Sequence, residues 1–186
     1  MGNFYVNFSV KREETQPVVD TLKRARLKAI VTPPSQGFVV VSEQESDTQD
    51  TGAIEEVGSL LSREVGAPVL GILNHDDDIL CYWLWDQGRL VDSYNSCPDY
   101  FGESVEEPLD RGGDAERLCE VLSAPRAVDQ VDAILHADDY VFAIERHQAL
   151  VKALGLSAHS VGCGYRYVGR GEIPDGFEPD QLIRIG

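Results

Sequence analysis

The segment "DILCYWLW" (Asp78 to Trp85) constrains this chain more than any other. Its alternation puts Ile79, Cys81, Trp83 and Trp85 on one side and Leu80, Tyr82 and Leu84 on the other. Both sides are apolar. A strand of that kind must be covered on both faces, so it belongs in the middle layer of a layered domain. Flanking segments support a hairpin: "NHDDD" precedes the strand, "DQG" (Asp86 to Gly88) turns it, and "RLVDSYN" returns.

Upstream, "NFYVNFSV" alternates, with Phe4, Val6, Phe8 and Val10 on one face, and reads as a strand. "TQPVVDTLKRARLKA" reads as a helix, with Pro17 near its start. "AIVT", "FVVVSE" and "PVLGILN" read as strands. The stretch 46–68, "SDTQDTGAIEEVGSLLSREVGAP", reads as a helix with Asp47 or Asp50 as its cap, ended by Gly66 and Pro68. Residues 3–74 therefore run strand, helix, strand, strand, helix, strand. That element order resembles the split β-α-β unit of ferredoxin-like folds. The resemblance implies an α+β sheet, extended by the 79–95 hairpin to about six mainly antiparallel strands. It implies no activity, because that architecture carries many unrelated functions.

Beyond residue 96 the pattern changes. Residues 97–113 are rich in Pro, Gly and acids and read as a connecting loop. From Asp114 the periodicity is helical, with "DAERLCEVLS", "RAVDQVDAILHA" and "DDYVFAIERHQALVKALG" as three helices. The expected organisation is a sheet region at 1–96, a connection at 97–113, and a helical segment at 114–186. Together they should form one cooperative domain, because the 79–85 strand needs cover.

Charge excludes more than it suggests. The chain has 186 residues and a formal net charge of −16, from 32 acids against 16 Lys and Arg. Such a balance argues against a nucleic-acid backbone as partner, since that affinity rests on cationic side chains. It suits a basic protein partner or a cation. No apolar run approaches the roughly 20 residues that span a bilayer, and the start "MGNFYVNFSV" lacks the pattern of a signal peptide. The expectation is a cytoplasmic protein away from membranes. Cys81, Cys97, Cys119 and Cys163 form no C-x-x-C pair, so they read as reduced thiols rather than as zinc ligands.

Two candidate sites follow. The strand exits place Glu43, Glu45, Asp47, Asp50, Asp76, Asp77 and Asp78 at one edge, with the two exits about 10 Å apart across one intervening strand. A divalent cation there would take Asp47, Asp76 and Asp78 as oxygen ligands. The competing reading of "HDDD" is a polar turn, because acids bond their own backbone in turns and cap helices. The second candidate is the aromatic hairpin, with Trp85 and Tyr82 as a binding surface. Trp83, in mid-strand, is expected in the core, and Trp85, beside the turn, is expected to be the more exposed. The Gly-rich "GCGYRYVGRG" (162–171) lacks phosphate-loop spacing and reads as close backbone packing. His147 falls on an apolar helix face and reads as a core residue.

The residues favour a non-catalytic, acidic protein that acts through protein contacts, with a basic partner or a second copy of itself. The alternatives are a metal-assisted enzyme that uses the acidic edge, or an acidic inhibitor that mimics nucleic acid toward a basic protein. No G-x-S-x-G, H-E-x-x-H or Walker A pattern occurs.

Overall fold

The computed structural model describes residues 2–100 and 109–186. Strand β1 (Phe4–Val10) is followed by helix α1 (Gln16–Arg24), β2 (Ala29–Val31), β3 (Val39–Glu43), α2 (Thr51–Val65), β4 (Val69–His75), β5 (Ile79–Asp86) and β6 (Arg89–Asn95). Helices α3 (Ala115–Leu122), α4 (Val128–His136), α5 (Ala143–Leu154) and the short α6 (Tyr165–Gly169) come next, and β7 (Ile183–Ile185) closes the chain. The strands form one open antiparallel sheet in the order β6-β5-β4-β1-β3-β2-β7.

Among the described residues the sheet has seven strands, against about six expected. The seventh, β7, pairs with β2 through Ala29–Ile185 and Val31–Ile183. Three residues are too short to show a period of two, so local pattern does not reveal this strand. Helix α5 is also shorter than expected. It starts at Ala143 rather than near Asp138, where the backbone of Phe142 is still extended.

The sheet is covered on both faces. Val6, Phe8, Val10, Val69, Leu73 and Trp85 pack with α1 and α2 residues such as Leu22, Ile54 and Leu61. On the opposite face, Tyr5, Leu70, Ile72, Leu80, Tyr82 and Leu84 pack with Leu118, Leu135, Leu150 and Leu154 of α3, α4 and α5. The double apolar face of β5 is thus met by helices from both halves of the chain.

Local signals explain the boundaries. Asp50 caps α2 by accepting Ala53 N at 2.8 Å, and Gly66 ends it with φ +66°. Asp114 caps α3 through Arg117 N at 2.9 Å. At the β5–β6 turn, Gln87 and Gly88 have φ of +50° and +77°, the pair of left-handed residues that a two-residue hairpin turn requires.

Of the four glycines in 162–171, only Gly164 shows the close packing expected of that stretch; a Cβ on Gly162, Gly169 or Gly171 would meet nothing within 4 Å. A Cβ on Gly164 would come within 2.9 Å of the Tyr5 Cβ and of Asp47 Oδ1, so only glycine lets the start of α6 lie on β1.

Candidate functional site

The two tryptophans of β5 exchange the roles expected of them. Trp85 is 1% exposed and Trp83 is half-buried. The cause lies in α2. Gly58, in the middle of that helix, has no side chain, and the Trp85 indole fills the space, also meeting Phe8 at a ring distance of 6.2 Å. The body of α2 therefore covers the turn end of β5. Its N-terminus does not roof the strand as far back as Trp83. Tyr82 is also buried: its hydroxyl donates to Asp92 Oδ2 at 2.6 Å and its ring stacks on Tyr94 at 5.4 Å. The strand's solvent-accessible aromatic is thus Trp83, rather than Trp85 or Tyr82.

Trp83 lies in a groove of about 640 Å3 on the α1/α2 face of the sheet. Leu73, Ile79, Cys81 and Trp83 make its apolar floor. Thr48, in the short turn before α2, and Thr51, its first residue, form one wall, and Ser93, Asn95 and Arg111 the other. His75 closes one end, with Nδ1 bonded to Gln49 Oε1 at 2.6 Å and its ring edge-on to Phe4 and Tyr100. The volume is within the range of ligand pockets, as is the combination of apolar floor and sparse polar walls. Burial pushes the Cys81 thiol up to about 12, which favours its neutral, weakly polar form.

The acidic edge takes another form from the one expected. Asp47 is 1% exposed and forms an ion pair with Arg166, whose Nε donates to Oδ2 at 2.9 Å; Arg166 N reaches the same oxygen at 3.0 Å. Glu43 is buried too, accepting Ser46 N and Ser46 Oγ, both at 2.8 Å. Asp76 accepts Gly2 N at 2.8 Å, and Asp77 accepts the backbone and side-chain nitrogens of Asn3. Asp78 accepts the Tyr100 hydroxyl at 2.9 Å. Asp76 and Asp77 both have left-handed φ, +52° and +61°, so "HDDD" builds a tight turn that tethers the N-terminus. Among the described residues no three His, Cys, Asp or Glu side chains converge as a metal-ligand set. In particular, Asp47 does not join Asp76 and Asp78. It is directed to α6, an element whose contact with β1 no local pattern announces.

The sequence shows no sign of a nucleophile–base arrangement, yet the core holds one in outline. The Tyr5 hydroxyl lies 2.7 Å from His147 Nδ1, and His147 Nε2 lies 3.3 Å from Ser160 Oγ. Ser160 Oγ donates to Ser157 O at 2.9 Å. The network therefore assigns the tautomer: Tyr5 donates to Nδ1, and Nε2–H donates to Ser160. His147 is a donor to the serine and cannot take its proton. All three residues are fully buried, and burial pushes the imidazole down to about 3. This cluster holds β1, α5 and the 157–160 turn together and has no route for a substrate.

Among the described residues, no helix is long and apolar enough to cross a membrane. Comparison of the chain with protein-family models, with curated proteins and with solved structures finds no match.

Proposed function

We propose that this chain is a non-catalytic binding protein whose recognition surface is the groove over Trp83, and that its partner is a basic protein. The observation that carries the reading is the half-buried Trp83 indole on the floor of an apolar groove. Tryptophan in such a setting is the residue type most enriched among contact anchors. Charge supports the partner class. The chain carries −16, and the turn after His75 at the groove's end holds Asp76, Asp77 and Asp78. An apolar side chain flanked by Lys or Arg would find a slot there and complementary charge at its His75 end.

The seals on other reactive groups support a non-catalytic role. Ser160 and His147 are enclosed, Cys81 is held as a neutral thiol, and Asp47 is committed to Arg166. We also infer that four neighbouring strands, in the order β4-β1-β3-β2, follow a ferredoxin-like path, which serves here as a scaffold.

The test uses short synthetic peptides with one central Leu or Phe, flanked by Arg in one set and by Glu in the other. Binding is followed at the Trp83 indole N–H resonance, assigned with Trp83→Phe. Arg-flanked peptides should shift it, and added salt should weaken the effect. If neutral ring compounds shift that resonance while no peptide does, the groove is a small-molecule site and the protein-partner reading fails.

A further inference from the structure

Between the end of β6 and the start of α5, Asp78, Ser96, Arg111, Asp138, Tyr140 and Arg146 line a second, polar cavity of about 150 Å3. That is about five times the share of liquid volume taken by one water molecule. Arg146 projects from the first turn of α5 and is only 6% exposed. It makes no ion pair among the described residues. Its terminal nitrogens donate instead to the closing carbonyls of α4: to Ile134 O, to Leu135 O at 3.1 Å and to Ala137 O at 2.7 Å. The Tyr140 ring lies 4.7 Å from its guanidinium carbon. A guanidinium has five N–H donors, so these three bonds leave two.

The other walls also hold unspent hydrogen-bonding capacity. Ser96 Oγ accepts Leu80 N at 2.9 Å and keeps its own proton to give. The Tyr140 hydroxyl makes no hydrogen bond among the described residues. Asp78 accepts the Tyr100 hydroxyl, one of about four bonds a carboxylate can take. Arg111 and Asp138 pair with each other at 2.8 Å at the exposed rim. The lining thus combines a donor set around a buried cation with a carboxylate. The four charges sum to zero, so a bare anion or a bare cation would enter against the balance of the walls, whereas a zwitterion would not.

We infer that this cavity binds a small free α-amino acid of the size of glycine or alanine. Its carboxylate would face Arg146, Ser96 and Tyr140, and its ammonium group would face Asp78. This site goes beyond the Trp83 groove, with which it shares only Arg111 at its rim.

The experiment measures thermal unfolding and calorimetric binding of the full chain with glycine, alanine, acetate, methylammonium and phenylalanine, each at the same millimolar concentration. Glycine and alanine should raise the melting temperature by mass action, while acetate, methylammonium and the bulkier phenylalanine should not. Asp78→Asn and Tyr140→Phe should each weaken glycine binding at least fivefold while remaining folded. Three results would overturn the inference: no shift with glycine or alanine, an equal shift with acetate alone, or unchanged glycine affinity in both variants.

Discussion

A Cβ placed on Gly58 would lie 2.4 Å from Cη2 of Trp85, so the helix glycine and the strand tryptophan occupy one slot between them. Glycine within a helix costs about 1 kcal/mol relative to alanine. Here the cost is offset by full burial of the largest side chain in the core.

Gly58→Ala should therefore destabilise the protein by about 1–3 kcal/mol through overpacking, despite its better helix propensity. In a Trp85→Leu background the same change should lose most of that penalty, because the two sites share one space. Chemical denaturation of the two single variants and the double variant checks this. Additive costs would mean that the contact does not govern the packing.

The two tryptophans should separate clearly in the same assay. Trp85→Ala should cost about 3–5 kcal/mol, as for a large core aromatic. Trp83→Ala, at the groove floor, should cost roughly 1–2 kcal/mol, nearer to an ordinary partly exposed site. Equal losses would show that Trp83 is as enclosed as its neighbour.

His147 should make stability sensitive to acid. Its folded pKa is lowered by burial to about 3, against about 6.5 when unfolded. Between those values the unfolded state binds a proton that the folded state does not. The destabilisation is therefore absent above about pH 6.5 and grows as pH falls toward 3. One such proton contributes up to about 1.4 kcal/mol per pH unit. His147→Gln should be less stable at pH 7, since it disturbs the bond to Tyr5, yet show a shallower decline from pH 6.5 to 4. Parallel pH profiles for the two proteins would contradict a buried, neutral imidazole.

The acids of the 43–78 edge should differ widely in effect. Removing Asp47 leaves Arg166 N without its acceptor and opens the join between α6 and β1. Asp47→Ala should lower stability by about 2 kcal/mol or more, as for a buried hydrogen-bonded carboxylate. Asp76→Ala acts on an exposed tether and should cost about 0.5 kcal/mol. Millimolar Mg2+, Mn2+ or Ca2+ should leave the melting temperature unchanged, because Asp47 is already paired. A rise that Asp76→Asn with Asp78→Asn abolishes would restore a cation site there.

A chain ended at Ser96 should fail to fold cooperatively. It would strip Leu70, Ile72, Leu80, Tyr82 and Leu84 of their helical cover and remove β7 from the β2 edge. Aggregation, or strong binding of a hydrophobic dye, is the expected result. A monomeric 1–96 fragment with a sharp melt would show two independent domains.

Local pattern alone determined much of this protein. The period of two marks β1 and β5, the helical period marks α2 and α3, and Asp50, Asp114, Gly66 and Gly88 set boundaries by backbone chemistry that acts within a few residues. The two apolar faces of β5 already required a layer on each side. Only the tertiary structure decided which tryptophan is buried, because that depends on where Gly58 of a separate helix comes to rest. It also decided that Asp47 meets Arg166, 119 residues away, instead of its acidic neighbours. The three-residue β7 likewise exists only because β2 presents an edge to it. Periodicity reports which face of an element is buried. It carries no information about which distant side chain completes a slot, an ion pair or a sheet edge, since those contacts are made by the packing of whole elements.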